Sequence, residues 1–327
     1  MDTHEPDGET AVYHDLPVVD AHIHLRQRDN CFVEDYLANI KRSGHNVVAS
    51  VYVECGMSYS HDPREEFRPV GEMSFVLGQA KQAQGSGHVM AAGIVGAADL
   101  TLGAAIQPVL ETLAEAAGGR LRGVRYRVAW DPDPIAGYGA GHGYPCANVL
   151  GKPEFFEGAR CLARLGLHLE TWGFHTQLFD LARFAARVPD LNIVINHCGG
   201  PLGVGRYAGR REEIFKDWRA GIEAVANSPN VFVKVSGLGV SRMGFGFQEK
   251  GPVNSSDELV SLWNPYVNAC IEAFGPQRAI FATNYPGDTA AAPLGILINA
   301  YKKMLRGLSM EELRAVFAGN AKNLYRL

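Results

Sequence analysis

The sequence predicts one domain of the α/β class, a (β/α)8 TIM barrel. Eight apolar segments with strand character alternate along the chain with segments of helical spacing. Connections from helix to strand are short and those from strand to helix are longer, as in barrels that build their active site on the strand-to-helix loops. No Gly-x-Gly-x-x-Gly turn follows the first strand, which disfavours an open doubly wound sheet. We therefore assign residues 17–327 to one barrel, preceded by a polar extension at residues 1–16.

The strands are predicted from short apolar runs that are rich in β-branched residues. The first lies within Pro17–Leu25, where Val18, Val19 and Ile23 supply apolar side chains. The others are predicted at Asn46–Val53, His88–Val95, Leu121–Val128, Leu167–Thr171, Asn192–Asn196, Val231–Val235 and Ala279–Thr283.

The helices are predicted where apolar residues recur at helical spacing and the run stops at glycine or proline. The first, Val33–Arg42, ends before Ser43-Gly44, and the helix at Leu178–Val188 ends before Pro189. The others are predicted within Glu72–Gln84 and at Ala104–Ala117, Phe155–Leu165, Glu212–Asn227, Glu258–Phe274, Leu294–Leu305 and Ser309–Phe317.

The composition excludes several classes of partner. Of the 327 residues 46% are hydrophobic, and lysine and arginine are scattered over a chain with a formal net charge of −4. We expect neither nucleic acid nor a membrane surface as a partner. Residues 1–16 lack the apolar core of a signal peptide, and no later run approaches about 18 apolar residues. The sequence therefore predicts a cytoplasmic protein.

The cysteines form no Cys-x-x-Cys pair and lie far apart, which is typical of reduced thiols. They are Cys31, Cys55, Cys146, Cys161, Cys198 and Cys270. A nucleophilic role for Cys198, next to His197, stays open at this stage.

Polar residues stand where the predicted strands end. His22 and His24 lie two apart, so they share one face of the first strand, and Arg125 and Arg127 repeat this arrangement on the fourth. Because the carboxyl ends of barrel strands meet at one mouth, we expect these groups to converge with polar residues of the other strands. Those residues are Glu54, Glu170, Trp172, His175, His197, Lys234, Ser236, Thr283, Asn284 and Asp288.

Neutral imidazoles together with carboxylates are typical ligands of zinc, iron or manganese. The sequence therefore indicates a divalent metal at this mouth, with zinc as the first choice, where it would polarise a carbonyl and acidify a bound water. The alternatives are that the histidines are ordinary buried residues with satisfied hydrogen bonds and that Glu54 is paired with an arginine.

The segments VVDAHIHL, VYVEC, GFHTQL, INHCGGP, FATNYPGD and GNAKNLYRL follow one another over nearly the whole chain. In this order they resemble the amidohydrolase superfamily, in its amidohydrolase-2 branch of lactonases and decarboxylases. The resemblance implies that His22 and His24 are a metal pair and that His175 is the fifth-strand ligand. In the metal-dependent version of the mechanism Glu54 could complete the set. It places His197 near the metal or the substrate. Some lactonases of the branch work without a metal, so a second mechanism is open in which imidazoles orient a lactone carbonyl and water.

One position departs from the family pattern. Where the family commonly ends its eighth strand with an aspartate that serves as metal ligand and general base, this chain has Asn284 in Thr-Asn-Tyr-Pro. An amide cannot accept a proton at neutral pH and is a poor ligand. A subset of the branch resembles this chain in carrying asparagine here with an aspartate four residues later, which matches Asp288. Either His197 or Asp288 would then take the proton, although Asp288 could instead cap the next helix.

Arginines and aromatic residues predict the substrate side of the site. Arg125 and Arg127 suit a carboxylate, because a guanidinium binds it through two parallel hydrogen bonds, and Arg206 could add a contact. Trp172 and Tyr207 would line a pocket for a ring-shaped substrate. The alternative is that the arginines hold carboxylates of the barrel itself. Lys234 is either a Schiff-base amine or, as we favour, half of a structural ion pair.

The resemblance implies a hydrolase that opens a lactone, or a related cyclic ester or amide, of a small carboxylated molecule in catabolism. Two alternatives stay open: a metal-dependent decarboxylase or hydratase of the same superfamily, and a silent relative that only binds a ligand because Asn284 replaces the usual base. The family also implies a homodimer.

Overall fold

The computed structural model describes residues 7–27, 30–137 and 147–327, so Cys146, one of the predicted reduced cysteines, lies outside the described residues. It confirms the predicted barrel. Eight parallel strands pair in chain order from β1 to β8. They are β1 (Val18–Ile23), β2 (Val47–Val53), β3 (Val89–Ala97), β4 (Leu121–Arg127), β5 (His168–Trp172), β6 (Ile193–Ile195), β7 (Val231–Val235) and β8 (Ala279–Phe281).

The barrel closes between β1 and β8 around a buried carboxyl group. Beyond the end of β8, Ile23 and Tyr285 form a parallel bridge. Closer to the barrel centre, Asp20 Oδ1 accepts the backbone N–H of Thr283 at 2.8 Å. Asp20 Oδ2 accepts the hydroxyl of Tyr36 at 2.9 Å. Asp20 therefore ties the first strand to the last and fixes the strand that carries His22.

The helices surround the barrel. The main ones are α1 (Val33–Ser43), α2 (Gly71–Gln82), α3 (Gln107–Ala116), α4 (Pro153–Arg164), α5 (Leu178–Ala186), α6 (Arg211–Ala226), α7 (Phe247–Lys250), α8 (Ser256–Phe274), α9 (Leu294–Met304), α10 (Met310–Arg314) and α11 (Asn320–Tyr325). A π-helical turn at Ala315–Gly319 joins the last two. No helix in the described part of the chain is both long and apolar enough to cross a membrane.

Three helical regions differ from the sequence prediction. The segment predicted to start α3 at Ala104 is a 3-10 turn, Leu100–Ile106, and α3 begins at Gln107. Proline at the second position explains this start, because a first helical turn does not need its missing N–H. The short helix α7 was not predicted, and the closing helices extend past Phe317 to Tyr325.

The described part of the N-terminal extension, residues 7–16, packs against the helices next to β8. Glu9 accepts both the backbone N–H and the hydroxyl of Ser256, at 2.8 and 2.6 Å, where α8 begins. Asp7 accepts the N–H of Gly295 in the first turn of α9 at 2.8 Å. Carboxylates at helix N-termini satisfy free N–H groups and favour the helix dipole. The extension is thus attached to the barrel by the starts of two helices.

Candidate active site

A cavity of about 490 Å³ opens at the carboxyl ends of the strands. Its lining residues come from seven strand ends or the loops after them: His24, Arg26, Cys55, Arg125, Arg127, Trp172, His197, Val240, Ser241, Arg242, Gln248, Asn284 and Gly287. Four of these are arginines, and none of the described lining residues is an aspartate or glutamate. The cavity is therefore electropositive and suited to an anionic ligand.

His22 and His24 face each other at the base of the cavity, with their Nε2 atoms 3.1 Å apart. His24 Nδ1 lies 2.8 Å from the carbonyl oxygen of Val53, and a carbonyl only accepts, so this nitrogen carries the hydrogen. The neutral His24 ring then has its lone pair on Nε2. His22 Nε2 must therefore donate, which leaves the lone pair of His22 on Nδ1.

The three histidines at the mouth are neutral at neutral pH. Burial, followed by the charge of Lys234, holds the pKa of His22 well below its ordinary value. Burial and the Arg125 guanidinium lower the pKa of His24 in the same way. Burial, Arg125 and Lys234 lower the pKa of His197. In the neutral form each ring has a lone pair on one nitrogen, while burial and the neighbouring cations oppose protonation of that nitrogen.

Glu54 is held by the two arginines of β4. Arg125 Nε donates to Glu54 Oε1 at 2.8 Å, and Arg127 Nη2 donates to Oε2 at 2.9 Å. Both carboxylate oxygens are thus engaged in an ion pair, as in the alternative that the sequence left open for this residue. Because two guanidinium groups share one carboxylate, positive charge remains on the cavity side of the group.

Lys234 lies beneath the histidines in a fully buried ion pair with Glu170. Its Nζ is 2.8 and 2.7 Å from the two carboxylate oxygens. Nζ is also 3.3 Å from His22 Nδ1. Glu170 accepts two further hydrogens, from the hydroxyl of Tyr325 at 2.7 Å and from the amide of Asn196 at 2.8 Å. The favoured structural ion pair is present, and Lys234 is not among the described residues that line the cavity.

His197 lies beside this pair and reaches the cavity. Its Nδ1 is 3.0 Å from the hydroxyl oxygen of Ser236, and Trp172 packs edge-on against the ring with centroids 4.9 Å apart. The backbone of His197 has a φ of 56°, in the left-handed region that few non-glycine residues adopt. A Cβ on Gly237 would lie 2.2 Å from the Cβ of His197, so only glycine fits there.

Asp288 lies behind Asn284 and does not line the cavity. Its Oδ1 accepts the amide of Asn284 at 2.8 Å, and its Oδ2 accepts the backbone N–H of Gly237 at 2.8 Å. Burial raises the pKa of Asp288 to about 7, although these hydrogen bonds oppose the rise. Asp288 therefore positions Asn284 and the loop after β7, and it does not cap a following helix.

The predicted metal ligands do not form one cluster. Among the described residues, no group of three or more His, Cys, Asp or Glu side chains is placed to hold a metal ion. Glu54 is engaged by arginines, and Asn284 supplies a weak ligand where a carboxylate would be a strong one. His175, the predicted fifth-strand ligand, is not among the described residues that line the cavity. Its Nδ1 accepts the N–H of Leu202 and its ring packs against Tyr207. The donor set in this structure does not fit a divalent metal.

Three further residues considered in the sequence analysis are not among the described residues that line the cavity. Arg206 Nη2 and the hydroxyl of Tyr207 both bond to Asp131 Oδ2, at 3.1 and 2.6 Å. Arg206 lines a separate cavity of about 150 Å³. Cys198 is buried beneath Trp218, which donates to its carbonyl oxygen. Arg206 and Tyr207 thus belong to a neighbouring site, and the buried thiol of Cys198 does not line the cavity although Cys198 follows His197 in the chain.

Sequence reasoning missed Arg26 and Arg242, which both line the cavity. Arg26 continues the alternation of His22 and His24 by two more positions, and that spacing could have pointed to it. Arg242 lies in the loop after β7 and donates to the carbonyl of Ala136 at 3.1 Å. No local periodicity marks a residue of such a loop.

A closed parallel barrel with histidines, arginines and an amide at its carboxyl end defines a class of barrel enzymes that act on small polar molecules. The family model described as "Amidohydrolase" matches residues 19–327. The chain belongs to the amidohydrolase-2 branch of the amidohydrolases, as its motifs predicted.

Two of the relatives illustrate the similarity. An uncharacterized protein of Sinorhizobium fredii is 30% identical over 295 residues, which cover 90% of this chain and 85% of the relative. An L-fucono-1,5-lactonase of Burkholderia multivorans is 25% identical over 221 residues, covering 66% of this chain and 67% of the lactonase.

Solved structures show the same fold. An amidohydrolase from Burkholderia multivorans has been solved with bound HEPES and with bound zinc, with TM-scores of 0.71 and 0.70. Both structures are 23% identical to this chain and cover 95% of it and 99% of the matched chain. Zinc binding is thus a property of that related protein.

Proposed function

We propose that this chain hydrolyses a lactone, or a related cyclic ester or amide, of a small carboxylated molecule. The observation that carries the proposal is the cavity in which His197 faces Arg125 and Arg127, with no carboxylate among its described lining residues. The L-fucono-1,5-lactonase among the relatives supports a lactone as the group that reacts.

His197 is the general base of the proposed reaction. With the hydrogen on Nδ1 donated to Ser236 Oγ, the lone pair on Nε2 takes a proton from water as its oxygen attacks the lactone carbonyl carbon. The ring carbon–oxygen bond then breaks, and the proton passes from His197 to the leaving oxygen. The products are a hydroxyl group and a carboxylic acid, which ionises to a carboxylate by releasing the second proton of the water to the solvent. Water is thus the only co-reactant.

The neighbouring groups bind the substrate and the transition state. Arg127 is placed to pair with the substrate carboxylate, since its guanidinium reaches both Glu54 and the cavity. Arg125 is placed to stabilise the oxyanion that forms on the carbonyl oxygen. Asn284 cannot take a proton, but its carbonyl oxygen can accept a hydrogen from the attacking water and orient it. The mechanism uses no step through a metal.

The proposal is tested by a screen for acid release with a pH indicator. The panel contains five- and six-membered lactones with and without a carboxylate, and aromatic carboxylic acids whose carbon dioxide release is measured separately. The matching cyclic amides are followed by mass spectrometry, because the amine formed on opening takes up the proton that the acid releases. We expect turnover of at least one carboxylated lactone and a loss of about 100-fold or more in His197→Gln. Carbon dioxide release without lactone opening would contradict the proposal and identify the chain as a decarboxylase. Tight binding of an anionic lactone with no turnover would make the chain a ligand-binding relative.

A further inference from the structure

The ammonium group of Lys234 meets three acceptors and has three hydrogens to donate. Two acceptors are the oxygens of Glu170, at 2.8 and 2.7 Å, and the third is His22 Nδ1, at 3.3 Å. Lys234, Glu170 and His22 all have no exposed surface. We propose that Lys234 is a positioning residue that fixes the protonation pattern of the His22–His24 pair and thereby keeps divalent metals from binding to it.

The first step concerns the hydrogen on His22. An ammonium group only donates, so His22 Nδ1 must accept, and the hydrogen of the neutral ring lies on Nε2. This agrees with the pattern derived from the other side of the pair, where the carbonyl of Val53 forces the hydrogen of His24 onto Nδ1. The bond between the two Nε2 atoms at 3.1 Å then has one donor and one acceptor.

The second step concerns the metal. A metal held by both Nε2 atoms needs a lone pair on each of them, so His22 would have to carry its hydrogen on Nδ1. That hydrogen would point at the Lys234 ammonium, and two donors would meet in a buried site. With the His22 hydrogen on Nε2, Arg125 Nη1, 3.4 Å away, cannot donate to that atom, so its guanidinium contributes only a second positive charge that opposes a cation. Both contacts oppose metal binding to the pair.

The third step concerns rigidity. Lys234 cannot swing away at low cost, because Glu170 is itself held by Tyr325 and Asn196. Tyr325 belongs to α11 at the end of the chain, and its ring also lies under the ammonium, with Nζ 5.4 Å from the ring centroid. The last helix therefore supports the cation that faces His22.

The chain offers a matched control in Lys302. This lysine is also buried, and its Nζ lies 3.0 Å from the Nδ1 of a histidine, His45. No second histidine faces His45 among the hydrogen bonds that the structure describes. Replacing Lys302 should therefore free a lone histidine and create no metal site.

The test is a zinc titration of protein dialysed against EDTA, with a chromophoric chelator as competitor. We expect Lys234→Met to bind one Zn²⁺ at least about tenfold more tightly than the wild type. Lys302→Met should bind as the wild type does, and His22→Ala in the Lys234→Met background should lose the gain. A wild type that binds one zinc as tightly as Lys234→Met would overturn the proposal, as would a folded Lys234→Met with no gain.

A second measurement needs no variant. Nitrogen-15 chemical shifts of the His22 ring in the wild type should show an unprotonated Nδ1 and a protonated Nε2. A protonated Nδ1 would overturn the proposal even if Lys234→Met does not fold. Neither measurement uses a substrate, so the result is independent of whether the chain opens a lactone.

Discussion

The side-chain amide of Asn284 donates a 2.8 Å hydrogen bond to the buried carboxyl group of Asp288. Asp288 also accepts the N–H of Gly237, so it joins the ends of β7 and β8 behind the cavity. Asn284 has a left-handed backbone, with a φ of 53°, and an aspartate or asparagine tolerates this better than most residues. The amide of Asn284 is thus a suitable hydrogen-bond donor for the Asp288 carboxyl group, as expected if asparagine is the native residue at this position.

Asn284→Asp should impair the protein rather than restore a family mechanism. The substitution places two carboxyl groups at hydrogen-bond distance, and one of them must stay protonated. We expect a free energy of unfolding lower by about 1–3 kcal/mol at pH 8, measured by urea denaturation, and slower lactone turnover. The double variant Asn284→Asp/Asp288→Asn restores one acid and one amide and should recover most of the stability. Faster, zinc-dependent turnover in Asn284→Asp would contradict this view.

His197, predicted near the metal or the substrate, and His175, predicted as a metal ligand, should differ in their effect on turnover. His197 lines the cavity, whereas His175 packs against Tyr207 away from it. We expect His197→Gln to lower kcat about 100-fold or more, and His175→Gln to keep kcat within about threefold of the wild type. Steady-state kinetics with the lactone found in the screen provide the comparison. Equal losses in the two variants would show that His175 acts in the reaction.

Arg127→Met should act on substrate binding. Its guanidinium is placed to meet the substrate carboxylate, so we expect KM for a carboxylated lactone to rise about 10-fold or more with a smaller change for its uncharged analogue. Arg206→Met is the matched control, because Arg206 bonds to Asp131 outside the cavity. An equal rise in KM for charged and uncharged lactones would show that Arg127 does not pair with the substrate carboxylate.

The barrel was predictable because its signals are local. Each strand is a short apolar run, and glycine or proline marks most helix ends, so the order of elements follows from the sequence. Helix α7 and the turn before α3 were missed or misjudged, since four residues carry no periodicity and a 3-10 turn shares its apolar residues with the helix that follows. These are differences in detail within a correctly predicted barrel.

The site was predictable only where strand alternation determines it. His22, His24, Arg125 and Arg127 follow from spacing on β1 and β4, and the structure brings these four residues together. The position of His175 depends on how a loop turns after β5, which spacing cannot determine. The bond from Lys234 to His22 joins residues 212 positions apart in the chain, so it follows only from the folded barrel.

Glu72 should make stability depend on pH. Its Oε1 accepts hydrogens from the Tyr52 hydroxyl and the backbone N–H of Cys55 and Met57, while its Oε2 has no hydrogen-bond partner. Burial, followed by the charge of Glu54, raises the pKa of Glu72 from 4.5 to about 7. A carboxyl group with a raised pKa in the folded state contributes fully to stability below pH 4.5 and loses that contribution as the pH rises to about 7.

The corresponding loss is about 3 kcal/mol, and Glu72→Gln should abolish it because the amide does not titrate. Urea denaturation at pH 5 and pH 8 should show Glu72→Gln gaining stability relative to the wild type at the higher pH. Glu34→Gln, at an exposed position on α1, is the control and should show no such difference. A parallel pH dependence in the wild type and Glu72→Gln would assign the effect to another group.

The N-terminal extension should contribute to stability through helix α8. Glu9 accepts the N–H and hydroxyl of Ser256 where that helix begins, so Glu9→Ala leaves those donors without their acceptor. We expect a free energy of unfolding lower by about 0.5–2 kcal/mol. Glu258→Ala is the control, because this acidic residue lies in the first turn of the same helix and is exposed. Because the helix dipole would act on both carboxylates, equal losses would assign the effect to charge. A loss confined to Glu9→Ala would assign it to the hydrogen bonds of Glu9, which include one from the Asn299 amide at 3.0 Å.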